Sequence, residues 1–229
     1  MRNISLLPLR MLLVNCIVLF SLAGCAVKQM KTTETGFLSG YSGLEEDKKL
    51  EGLRVYKNPD VNVSERYSKA LIAPIQFKLD PTVKEHEMAF EDRLKLSKYF
   101  HERLTENLSK NYEITDEPGP GVLLFRAAVT DVLPNKVYLN LHWSTTLIGG
   151  GIGGASLEAE VVDSLTNERI MSFVDARKGK KLNYTKGLTK WGHTKEVLGM
   201  WADIMVENLD RLKNEYTGGS SIDPAGGGL

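Results

Sequence analysis

Apolar and polar residues recur along this chain with two different periods, and the changes between them predict its elements. Across 69–79 the apolar positions are every second residue, Leu71, Ala73, Ile75, Phe77 and Leu79, as in a half-buried strand. Pro74 sits inside that run and lacks an N–H, so an edge position or a bulge is expected there. From about 90 to 109 the period lengthens: Leu96, Phe100, Leu104 and Leu108 form one stripe, with Lys95, Lys98, Glu102 and Glu106 facing away, which predicts a helix. A short strand at 112–115 and a Pro-Gly-Pro-Gly turn at 118–121 lead to a second alternating run at 122–132, with Leu123, Phe125, Ala127 and Val129 inward. Pro134-Asn135 breaks it, and Val137, Leu139, Leu141 and Trp143 then alternate in what is either a strand or an ordered loop.

The clearest alternation is at 155–163, with Ala155, Leu157, Ala159 and Val161 inward and Ser156, Glu158 and Glu160 outward. A turn near 165–167 returns the chain along 169–177. Pairing Val161 with Met171 and Ala159 with Phe173 makes the apolar faces of this hairpin agree, and it sets Asp163 opposite Arg169; a slip of one residue would spoil it. A second long helix is expected at 194–213, where Leu198, Trp201, Met205, Leu209 and Leu212 step by three and four residues. Strand, helix, two strands, hairpin, helix predicts an α+β two-layer sandwich: a mixed or antiparallel sheet with both long helices on one face.

The flanks read differently. Arg2 and Arg10 precede an apolar run at 11–22, too short to span a bilayer core of about 30 Å but right for an export signal. Leu22-Ala23-Gly24-Cys25 closes it and resembles the lipobox of bacterial lipoproteins. That resemblance implies a diacylglycerol on the Cys25 sulfur, cleavage before Cys25 and acylation of the new amine. Residue 26 is Ala rather than the Asp that marks inner-membrane retention in enterobacterial lipoproteins, so the expected address is the outer membrane, facing the periplasm. The divisions expected are a cleaved signal at 1–24, lipidated Cys25 and a tether to 66, one domain at 67–216, and a disordered Gly- and Ser-rich tail at 217–229. Phe37, Leu38 and Tyr41, within the tether, are expected to dock on the domain.

Composition excludes more than it selects. Lys and Arg number 29 against 29 Asp and Glu, and loss of Arg2 and Arg10 with the signal leaves a slight negative balance; nothing points to nucleic acid. Of the two cysteines, Cys16 leaves with the signal and Cys25 would be capped, so no disulfide is expected. A core of about 150 residues is large enough to bury roughly two-thirds of its unfolded surface without one.

Candidate chemistry is sparse. Gly149, Gly151 and Gly154 satisfy G-x-G-x-x-G, but the run opens a predicted strand where a dinucleotide site needs a helix, so no nucleotide and no other cofactor is expected. The glycine run reads instead as a hinge, as a tight strand entry where side chains would clash, or as a loop that, with Leu141, Trp143, Leu147, Ile148, Gly151 and Gly153, contacts a partner or lipid. His86, His101, His142 and His193 have no metal-ligand spacing; His193 stands where a helix cap is expected. Glu158 and Glu160 share one strand face and with Asp175 are the candidate carboxylates for hydrolysis, although strand faces also carry such residues for solubility. Pairing with Arg126, Arg169 or Arg177 is the expected structural alternative.

Several blocks in order resemble the bacterial lipoproteins of domain-of-unknown-function family 3313. They are Gly36-Phe-Leu-Ser-Gly-Tyr-Ser-Gly-Leu44, Tyr67-Ser-Lys-Ala-Leu-Ile-Ala-Pro74, Tyr99-Phe-His101, Pro118-Gly-Pro-Gly-Val122 and Gly153-Gly-Ala-Ser-Leu-Glu-Ala-Glu160. Val174-Asp-Ala-Arg177, Trp191-Gly192 and Lys195-Glu196 complete them. The resemblance covers about 36–213 and implies an address and a fold, with no activity attached. The expectation is a non-enzymatic envelope lipoprotein that binds the membrane through Cys25 and an envelope protein or peptidoglycan as partner. The alternative is a tethered hydrolase using Glu158, Glu160 or Asp175.

Overall fold

A computed structural model describes residues 34–79, 88–136, 152–179, 186 and 188–218. The strands are β1 (Glu45–Glu46), β2 (Arg54–Lys57), β3 (Lys69–Ile72), β4 (Gln76–Phe77), β5 (Glu113–Ile114), β6 (Val122–Leu133), β7 (Gly154–Asp163) and β8 (Arg169–Lys178). The helices are α1 (Val63–Arg66), α2 (Phe90–Leu108) and α3 (Gly192–Gly218). The eight strands form one sheet in the order β1-β2-β8-β7-β6-β3-β5, with β4 also paired to β6. From β1 to β6 along that order every pairing is antiparallel, whereas β3, β4 and β5 join in parallel. α2 packs over β3 and β5, α3 over β7 and β8, and the two helices pack on each other. The expected α+β sandwich with a mixed sheet is the architecture found.

The central hairpin has the expected register, Val161 beside Met171 and Ala159 beside Phe173. Its core face is Ala155, Leu157, Ala159, Val161, Met171 and Phe173, all essentially inaccessible, meeting Leu198, Trp201, Met205 and Leu209 of α3. Burying each of the valine, leucine, methionine and phenylalanine side chains contributes about 1.5–3 kcal/mol. Asp163 does not oppose Arg169, because a bulge intervenes and Val162 does. Its carboxylate instead accepts from the backbone N–H groups of Leu165 and Thr166 at 2.9 and 2.8 Å and from the Tyr67 hydroxyl at 3.0 Å. Asn167 completes the turn at φ +58°, the left-handed region that Asn tolerates.

Three further expectations change. At 69–73 the inward residues are Ala70 and Ile72, not Leu71 and Ala73, while Ile75 and Phe77 do pack on the core. Ile72 stands beside Phe125 and Gln76 beside Ala128, so the stretch holding Pro74 carries one more residue than β6 opposite it, and the extra residue reverses the pleat. The second change concerns the tether. Residues 45–46 and 54–57 are strands of the sheet, with Val55 beside Phe173 and Leu53 and Val61 fully buried, so much of 34–66 belongs to the domain. Four-residue β2 is too short for its alternation to stand out among polar neighbours. α3 also runs past the expected end near 213, and residues 219–229 lie outside the described residues. No helix among the described residues is long and apolar enough to cross a membrane.

Candidate functional site

The face of the sheet away from α2 and α3 carries Ser156, Glu158 and Glu160 of β7 and Ser172 and Val174 of β8. A sheet face is normally covered by another layer or left to solvent; here both glutamates are inaccessible, at 0% and 1%. Residues 34–42 cover them as a strap. Thr35 donates its N–H to Glu158 Oε1 at 2.7 Å and its hydroxyl to Oε2 at 3.0 Å, and the Tyr41 hydroxyl donates to the same Oε2 at 2.6 Å. Ser39 donates its N–H and hydroxyl to Glu160 Oε2 at 3.0 and 2.7 Å, while Arg126 Nη2 holds Oε1 at 2.8 Å.

Arg169 fastens the strap's far end by donating to the carbonyls of Gly40 and Ser42 at 2.6 and 2.9 Å, with its guanidinium 3.6 Å from the Tyr56 ring centre. Burial, then the Glu158 carboxylate, pushes the Tyr41 hydroxyl above its usual range, so it stays a donor. Leu38 is buried and Phe37 lies beneath the Lys78 ammonium, so the docking expected of Phe37, Leu38 and Tyr41 is what the chain does.

This geometry corrects the expectation of carboxylates on an exposed face. Glu158 and Glu160 lie under the strap. Asp175 is on the opposite face, where Trp201 Nε1 donates to Oδ2 at 2.8 Å and Arg177 Nε donates to the same oxygen. Of the expected arginine partners, Arg126 takes Glu160 and Arg177 takes Asp175, while Arg169 serves backbone carbonyls. The structure does not bring the three carboxylates into one pocket.

A second constellation lies where β6 ends and β7 begins. Asn135, read from sequence only as a strand breaker, is buried and donates its side-chain amide to the carbonyls of Lys186 and Thr189. Its Oδ1 is therefore the acceptor, taking the Gly153 N–H at 2.8 Å and lying 2.9 Å from His193 Nδ1, which assigns the His193 proton to Nδ1. His193 is inside α3 and buried rather than at its cap. A Cβ on Gly153 would lie 2.6 Å from the Leu133 carbonyl oxygen and against Asn135 Oδ1, so this glycine permits a close approach. Gly153 is the one residue of the expected partner loop that is described; Leu141, Trp143, Leu147, Ile148 and Gly151 lie outside the described residues, as do Cys25, His86 and His142.

Nearby, the Trp191 indole, followed by the Lys190 ammonium 3.2 Å away, holds the Asp92 carboxyl below its usual range. A cleft of about 410 Å³ opens between α2 and α3, lined by Tyr99, Arg103, Lys178, Val197, Met200 and Asp203. Among the described residues no group of three or more His, Cys, Asp or Glu is placed to hold a metal ion.

The family of proteins of unknown function DUF3313 matches residues 33–205, from the strap into α3. The chain belongs to this family. Its matched span contains the strap, the hairpin that holds it and the Asn135 constellation. The uncharacterised lipoprotein YdcL of Escherichia coli strain K12 is 26% identical over 195 residues, covering 79% of this chain and 87% of that protein. Among solved structures, one form of the PelC dodecamer from Paraburkholderia phytofirmans is 12% identical at a TM-score of 0.39, over 65% of this chain and 91% of that one. The lipoprotein GNA1162 of Neisseria meningitidis is 14% identical at 0.35, over 63% and 99%.

Proposed function

We propose that this family member is exported, acylated on Cys25 and held at the periplasmic face of the outer membrane, where its domain is a non-enzymatic binding or assembly component of the envelope. The observation that carries the reading is the strap. The described residues begin at Glu34, shortly after Cys25, and are at once fastened across the sheet through Glu158, Glu160 and Arg169. A lipid on Cys25 would thus pull on a clamped element, and from Cys25 to Glu34 the chain reaches at most about 30 Å. Three acyl chains, each buried CH₂ contributing about 0.8 kcal/mol, make a lasting anchor without a membrane helix.

The lipobox of the sequence and the lipoprotein relative support the anchor, and Ala26 supports the outer membrane. The engagement of Glu158, Glu160 and Asp175 in structural bonds supports a binding role over hydrolysis. The partner proposed is an envelope protein or peptidoglycan. Replacing Cys25 with Ser should abolish palmitate labelling and leave the chain unprocessed or soluble; a labelled, membrane-bound Cys25→Ser protein would refute the anchor. Mild crosslinking in cells should recover the domain with one recurrent envelope component, and repeated recovery of a lone monomer would refute the binding role.

A further inference from the structure

The two ends of the sheet differ in chemistry. At the end where β6 stops and β7 starts, Asn135 holds the 186–190 segment, Lys190 pairs with Asp92 at the start of α2, and α3 also begins. Three of the four exposed large apolar side chains among the described residues lie at this end: Phe90 at 78%, Leu94 at 59% and Leu188 at 52%. Arg93, Lys95, Lys136, Lys178, Lys186 and Lys190 are exposed around them, against Glu91 and Asp92. The positive ends of the dipoles of α2 and α3 add to this charge. The opposite end carries Glu65, Glu113, Asp116, Glu117 and Glu168 against Arg66, Lys69 and Lys110, with Leu165 its one exposed large apolar residue among those described.

The strap has a direction relative to these ends. From Ser42 back to Thr35 it passes from Arg169, beside Val162, to Glu160 and then Glu158, so its N-terminal end is the one closer to Gly154. Glu158 lies about 13 Å along β7 from Gly154 at the strand rise of about 3.3 Å per residue. A linker from Cys25 that spans at most about 30 Å brings either end of the domain to a membrane, so surface chemistry decides which end meets it.

We infer that the end bearing Phe90, Leu94 and Leu188 rests on the phospholipid surface of the membrane that anchors Cys25; the inference builds on the lipid-anchor reading above. Exposed apolar side chains enter the headgroup boundary, and the surrounding lysines and arginines meet anionic lipid, as at interfacial protein surfaces generally. The acidic end then faces away from the bilayer.

Once residues 1–24 are removed Cys25 is the only cysteine, and acylation blocks it, so an introduced cysteine is the sole reactive thiol. The mature lipidated protein would be reconstituted in vesicles of equal parts phosphatidylethanolamine and phosphatidylglycerol. An environment-sensitive fluorophore would be placed at Leu188→Cys or Phe90→Cys, with Leu165→Cys as an equally exposed control at the opposite end. The expected result is a blue shift and several-fold stronger quenching by headgroup-region nitroxide lipids at 188 and 90 than at 165. Vesicle-bound protein with equal quenching at all three sites, or strongest quenching at 165, overturns the docking alone. A purified mature chain that carries no lipid and stays off the vesicles overturns the docking together with the anchor.

Discussion

Glu158 shows how much depends on the sign of a hydrogen bond. Every described contact to its carboxylate comes from a donor: the Thr35 N–H, the Thr35 hydroxyl and the Tyr41 hydroxyl. Glutamine has nearly the same shape but turns one of two acceptor oxygens into a donor, which would face a donor in the dry interior. Glu158→Gln should therefore cost about 1–3 kcal/mol. Hydrogen exchange should show the Thr35 amide losing protection while amides in the centre of β7 keep theirs.

Asp163 makes a pH-dependent contribution. Burial raises its carboxyl pKa, but the N–H groups of Thr166 and Leu165 and the Tyr67 hydroxyl outweigh that and hold it below the ordinary range. A depressed folded-state pKa gives stability that is present above the unfolded value, about 3.9, and lost as pH falls through the folded one. Asp163→Ala should be about 2 kcal/mol less stable than the parent in urea at neutral pH, with the difference shrinking below about pH 4.

At the scale of elements, what was legible in the sequence was what one element's own periodicity decides. The stripes of α2 and α3 and the β7–β8 register follow from side-chain period alone, and their burial is nearly complete. The phase of 69–73 was not legible, because the bulge at Pro74 exists only against β6. Nor was the strap. Its donors are backbone N–H groups, threonine, serine and tyrosine, which have no period, and its acceptors lie more than a hundred residues away, with Thr35 and Glu158 separated by 123. Glu158 and Glu160 looked like solvent-facing strand residues because a strand's outward face is solvated unless something covers it, and the cover came from a stretch that reads as a tether. The junction of β6, β7 and α3 is equally a product of tertiary contact, and Gly153 is its tightest point. Gly153→Ala forces a methyl onto the Leu133 carbonyl and Asn135; it should lower stability by about 3 kcal/mol, measured as the shift of the urea midpoint at constant slope.

Taken whole, the molecule is built around β7, which meets α3 on one face and the strap on the other, so that the start of the described chain and its last helix share one strand as their common support. The central hairpin closes locally and α2 joins β3 and β5 nearby in sequence, whereas β2 waits for β8 and the strap waits for both β7 and β8. Contacts across such separations form late, because the intervening chain must first be brought together. The first of the described residues to be synthesised are thus among the last to be placed. Until β8 exists Arg169 is missing, and the end of the strap at Gly40 and Ser42 has nothing to fasten it. Completion of the hairpin then seals residues 35–42 over β7, so protection of the Thr35 and Ser39 amides serves as a clock for the last stage of assembly.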